Sequence, residues 1–147
     1  MKKVFIYFIF ILFISCKISK TEVKPVSSVV NEPSISSNSC KIEATIVSVF
    51  RPSSTDSNDV CFRHPCRAIA HVEQILQCGS AASVIPDDEG NIVLDFAYTL
   101  NKTDSLFPKM KPSYPGLQNK AHFTTIVESH VAPNDQMKYI VYGYELK

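Results

Sequence analysis

What this chain lacks narrows it first. It has no excess of positive charge: 15 Lys and Arg stand against 14 Asp and Glu over 147 residues. A general nucleic-acid binder needs a basic face to displace counterions from phosphates. That class is excluded, and no nucleic-acid partner is expected. The sequence also lacks an N-terminal apolar run of the roughly 20 residues that a membrane-spanning helix needs; the run from Val4 stops at Ile14. Only four glycines are present, and none of them builds a G-x-S-x-G nucleophile turn. His64, His71, His122 and His130 are scattered, and no H-E-x-x-H occurs. No catalytic residue is assigned and no cofactor is expected. No internal repeat and no convincing helical period run through the chain.

What is present begins with an address. Lys2 and Lys3 form a positive start, Val4 to Ile14 is apolar, and Ser15-Cys16 follows at once with polar residues. This is the layout of a secretory signal. Leu12-Phe13-Ile14-Ser15-Cys16 resembles the lipobox of bacterial lipoproteins, with Phe13 where Leu is usual. The resemblance implies cleavage before Cys16, lipidation of that cysteine by a diacylglycerol thioether and often a further acyl chain such as palmitate, and the membrane as a partner. One acyl chain binds marginally, whereas two or more hold firmly. Lys17 is not the Asp that marks inner-membrane retention in enteric lipoproteins, and Lys17-Ile18-Ser19-Lys20 lacks the acidic run that directs surface export elsewhere. The resemblance therefore implies a cell-envelope protein on the periplasmic face of an outer membrane. Without Lys2 and Lys3, 13 basic side chains remain against 14 acidic ones.

The domains follow from composition. Residues 1–15 read as the signal peptide. Residues 16–39 read as the lipidated cysteine and a disordered tether, because Lys17 to Ser39 is rich in Ser, contains Pro25 and Pro33, and has no aromatic residue to bury. As a flexible coil it spans about 25 Å. Residues 40–147 form one domain of ordinary size.

That domain reads as all-β. Strands are expected over Cys40 to Phe50, Arg67 to Cys78, Asn91 to Leu100, Ala121 to His130 and Met137 to Leu146. In the third, Ile92, Leu94, Phe96, Tyr98 and Leu100 share one face by alternation. In the last, Tyr142 and Tyr144 share a face with Ile140 and Leu146, which assigns both tyrosines to the core. Asp87 to Asn91 and Pro133-Asn134-Asp135 mark turns. Asn101 to Lys120, with Pro108, Pro112 and Pro115, reads as a long irregular loop. Five antiparallel strands with the longest break between the third and fourth resemble an OB-fold barrel, with the usual helix in that break short or missing. A β-sandwich is the alternative. The domain also resembles netrin-like modules, OB-type barrels with cysteine bridges found in tissue inhibitors of metalloproteinases. Their use of a free N-terminal cysteine amine does not carry over, since Cys40 follows a tether and Cys16 would be lipidated.

With Cys16 assigned to lipid, Cys40, Cys61, Cys66 and Cys78 remain. An even number in an exported domain suggests two disulfides, with three connectivities open. If strands one and two pair so that partner numbers sum to about 118, Ile42 faces Leu76, Ile46 faces Val72 and Phe50 faces Ala68. The same register sets Cys40 opposite Cys78 and leaves Cys61 and Cys66 to close a short loop.

Sharper chemistry has three places to sit. Cys61, His64, Cys66 and His71 offer two sulfurs and two imidazoles to zinc or copper; oxidising export favours the disulfide instead. Asp87, Asp88 and Glu89 cluster in a turn, where the sharp reading is calcium and the plain one solvent. The long loop carries Lys109, Lys111 and Tyr114, a basic stretch with exposed apolar groups that suits a protein or glycan partner. The expected function is a non-enzymatic, lipid-anchored binding module of the bacterial envelope. The alternative is a metal-binding lipoprotein using the Cys61-His64-Cys66-His71 cluster.

Overall fold

The structure is a computed structural model that describes residues 34–147. The signal segment, the lipobox with Cys16 and most of the tether lie outside the described residues. Within them the chain forms five strands: β1 (Ser39–Val49), β2 (Arg67–Cys78), β3 (Asn91–Phe96), β4 (His122–Val131) and β5 (Met137–Leu146). They close into a barrel in the order β1-β2-β3-β5-β4, with β4 returning to β1. The sandwich alternative is excluded by this closure.

One pairing departs from the antiparallel expectation: β3 runs parallel to β5, Leu94 opposite Tyr139 and Phe96 opposite Val141. The long β3–β4 loop makes this arrangement accessible, because β4 can return to β1 and leave β5 to fill the gap beside β3. A parallel pair needs a long crossover, and β4 with its flanking loops is that crossover. Among the described residues the β3–β4 loop contains no helix.

The first hairpin starts in the expected register and then drifts. Cys40 faces Cys78, but Ile42 faces Ile75, Ile46 faces Ala70 and Val49, not Phe50, faces Ala68. The ladder skips Leu76 and Glu73 on β2 and Val47 on β1. Each extra residue is a bulge, which bends the strand and sharpens its twist. A straight count cannot include bulges, yet closing a sheet of only five strands requires such bends.

The core follows the inward faces. Ile42, Ala44 and Ile46 from β1 meet Ala68 and Ala70 from β2, Ile92, Leu94 and Phe96 from β3, Phe123 and Val127 from β4, and Tyr139, Val141 and Tyr144 from β5. Small alanines on β2 leave room for the large rings, as the interior of a small barrel requires. Val84 from the β2–β3 connection, and Leu100 and Leu117 from the β3–β4 loop, join the same core. β3 stops at Phe96, so Tyr98 is exposed where alternation placed it inward, while Leu100 is buried from the loop.

On β5 the expected face is reversed for Tyr142. Tyr139, Val141 and Tyr144 point inward, whereas Tyr142 is 50% exposed. Thr125 pairs with Tyr144 and Val127 with Val141, so β5 carries one residue more than β4 across this step. That bulge at Tyr142-Gly143 shifts the alternation by one and turns Tyr142 out.

Both cysteine pairs form as the register implies. Cys40–Cys78 ties the start of β1 to the end of β2, and Cys61–Cys66 closes the loop before β2. The folded unit also begins earlier than residue 40. Ser39 is a buried strand residue, Ala81 N–H donates to Ser37 O, and Ser129 N–H donates to Asn38 O. Gly79 makes this fit: a Cβ there would overlap the Ser36 and Ser37 backbone.

Candidate binding groove

The long loop is packed against the barrel through its threonines and tyrosines. Thr99 and Thr103 are buried. Thr99 Oγ1 donates to Pro65 O at 3.0 Å, and Tyr114 N–H donates to Thr103 Oγ1 at 2.7 Å. Tyr114 then stacks on Tyr144 with ring centroids 4.9 Å apart and planes at 28°. Its hydroxyl donates to Tyr142 O at 3.3 Å, while Gly116 N–H donates to the Tyr144 hydroxyl at 2.9 Å. Burial pushes the Tyr144 phenol above its ordinary value, against the opposing effect of the Gly116 N–H.

Between this loop and the outer face of β1, β4 and β5 lies an open groove of about 540 Å³. The volume falls in the range of small-ligand sites, roughly 300–1,000 Å³. Tyr142, Ile126 and Pro112 give it apolar surface; Lys41, Thr124, Glu128 and Glu145 give it polar groups of both signs. Lys41 and Ile126 are direct partners across β1 and β4. Glu128 is 3.3 Å from His130 Nε2. The bulge is what brings Tyr142 into this groove.

Of the loop residues singled out from sequence, Tyr114 lines the groove and braces it. Lys109 and Lys111 are exposed on the same loop but are not among the lining residues. Lys41, Glu128 and Tyr142 had no motif to mark them; a tyrosine beside a glycine in a strand was the one available sign of a bulge.

The sulfur and imidazole cluster does not gather. Cys61 and Cys66 are bonded to each other, and a disulfide sulfur is not the thiolate that zinc takes. His64 Nδ1 lies 3.1 Å from Asn101 Nδ2. His71 lies on β2, its ring against Gly90. Among the described residues no three His, Cys, Asp or Glu side chains stand ready to hold a metal ion. In the acidic turn, Asp87 Oδ1 accepts from the Glu89 and Asn91 N–H groups, so that carboxylate shapes its own turn.

A second polar surface lies on the β2–β3–β5 side. Arg67 Nε pairs with Asp95 Oδ1 at 2.6 Å and its guanidinium covers the Phe50 ring. Gln136, Lys138 and Ile140 complete a shallow depression there. Here Arg67 already has its carboxylate, so the depression offers less unpaired chemistry than the groove.

Comparison with protein families, with curated proteins and with solved structures finds no match.

Proposed function

We propose that this chain is a lipid-anchored binding module of the bacterial cell envelope, held to the periplasmic face of the outer membrane through Cys16 and taking an envelope glycan in the groove beside Tyr142. The observation that carries the anchor is the cysteine pairing. Four of the five cysteines are consumed by Cys40–Cys78 and Cys61–Cys66. The fifth, Cys16, stands in the lipobox-like Leu12 to Cys16 segment. The order of the strands supports an OB-type reading of the barrel, since β1-β2-β3 form a meander and β4 returns to β1 in Greek-key fashion.

The glycan reading rests on groove chemistry. A sugar ring offers an apolar face of C–H groups and a rim of hydroxyls. The half-exposed Tyr142 ring supplies a flat apolar surface, while Thr124, Glu128 and Glu145 supply acceptors for hydroxyls and Lys41 a donor. A ligand met by mixed charges in this way is a polar, uncharged or weakly charged one; an oligonucleotide would meet two carboxylates.

Binding of soluble peptidoglycan fragments and other envelope glycans to the purified protein tests the groove. Tyr142→Ala should abolish binding while leaving the circular dichroism spectrum and melting temperature close to the parent. Binding unchanged in Tyr142→Ala would remove the groove as the site.

A further inference from the structure

The groove wall carries one ammonium and one carboxylate that the fold leaves without opposite charges. Lys41 of β1 lies opposite Gln77 of β2 and Ile126 of β4, both uncharged. Two carboxylates on its own and the next strand could compete for it, and each is turned elsewhere. Glu43 pairs with Lys147, and Glu128 lies 3.3 Å from His130 Nε2. Glu145 of β5 lies opposite Thr124 of β4, again an uncharged partner. Among the described residues neither Lys41 nor Glu145 belongs to an ion pair. Both side chains are exposed, and both line the groove. Between them lie Ile126 and Tyr142, which are 47% and 50% exposed. Lys41 stands level with Ile126, and Glu145 level with Thr124. The two charges are therefore two strands and two residues apart, about 12 Å at the backbone. Each keeps its attraction for a ligand group of opposite sign, weakened only by water and salt.

We infer that the groove takes a zwitterionic ligand, the short peptide stem of a cell-wall muropeptide. A carboxylate of the stem meets Lys41, its methyl and methylene groups cover Ile126 and Tyr142, and the free amine of its diamino acid meets Glu145. The inference rests on the reading of the groove as an envelope-glycan site and adds what that glycan must carry. Lysine offers three N–H donors to a carboxylate, and Glu145 offers two acceptor oxygens to an ammonium. Hydrogen bonds between charged groups are the stronger kind. The span agrees with a peptide: an extended chain covers about 3.3–3.6 Å per residue, so about 12 Å is three to four residues. A neutral glycan leaves Lys41 and Glu145 with nothing to meet. A polyanion is drawn to Lys41 but repelled by Glu128 and Glu145 together. A ligand with one charge of each sign, separated by apolar groups, matches the order of groups along the groove.

The test is calorimetry of the full chain, purified in detergent, with three probes. They are a disaccharide muropeptide with its peptide stem, the same disaccharide without the stem, and the muropeptide with its diamino-acid amine acetylated. The stem-bearing probe should bind tightest. Lys41→Gln and Glu145→Gln should each weaken it about tenfold, as loss of a hydrogen bond between charged groups does, and leave the stem-free disaccharide unaffected. Acetylation should cost as much as Glu145→Gln, and the two together no more than either alone. Lys138→Gln, on the β2–β3–β5 side of the barrel, should change nothing. Both groove positions are exposed, and an unchanged melting temperature checks that the variants fold. Equal binding with and without the stem overturns this inference and leaves the glycan reading standing. Tighter binding of the stem-bearing probe that survives both substitutions also overturns it. Failure of all three probes to bind removes both readings.

Discussion

The Tyr114 phenol stands over Gly143, so that a Cβ at residue 143 would overlap its hydroxyl. Through this contact the long β3–β4 loop is seated on the β5 bulge, and the same bulge turns Tyr142 outward. Gly143→Ala should displace Tyr114 from its stack on Tyr144 and open that end of the groove. The expected cost is about 1–2 kcal/mol, comparable to an overpacked core site. Thermal unfolding measures the cost, and groove-ligand binding should weaken in step.

Truncating the stack from the other side gives a second test. Tyr144 touches Phe96, Phe123 and Tyr114, and Phe123 is fully buried among them. Phe123→Ala should cost about 3–5 kcal/mol, as for other large aromatic deletions. Denaturant unfolding would show this as a lower midpoint at nearly unchanged slope.

The two disulfides should differ in worth. Cys40–Cys78 spans 38 residues and Cys61–Cys66 only 5. In the chain-entropy account the longer closure contributes about 4 kcal/mol and the shorter about 2. Paired Cys→Ser variants, compared by melting temperature, should rank in that order. A larger loss from Cys61/Cys66 would mean that the loop before β2 does more than close on itself.

Much of this was legible in the sequence, and the parts that were not share a cause. The β2 and β5 bounds, the outer cysteine pair and the all-β class follow from alternation and cysteine arithmetic. The errors fall at bulges. Leu76, Glu73 and Val47 each break the assumed register of the first hairpin, and the extra residue at Tyr142-Gly143 reverses the assigned face of Tyr142. Period-two reasoning has no term for one inserted residue. The parallel β3–β5 pair was equally hidden, since it depends on where β4 returns rather than on any local pattern. The groove was half visible: its loop, with Tyr114, stood out by composition, but Lys41 and Glu128 are ordinary strand residues until the sheet closes.

Alkaline pH should loosen the domain through Tyr144. Its phenol is raised by burial in the folded state, so the folded form holds the proton more tightly than the unfolded one. That contribution is complete below the unfolded value, about 10, and is lost as the pH rises from there through the higher folded value. Unfolding curves from pH 9 to about 11 should show the loss in the parent, and a smaller loss in Tyr144→Phe.

The central claim is the lipid on Cys16. Radiolabelled palmitate fed to bacteria expressing the parent chain and Cys16→Ala tests it most directly. The account predicts label on the parent protein and none on the variant, with the variant released from the membrane fraction. A parent that takes up no label, or a variant that still does, would contradict it.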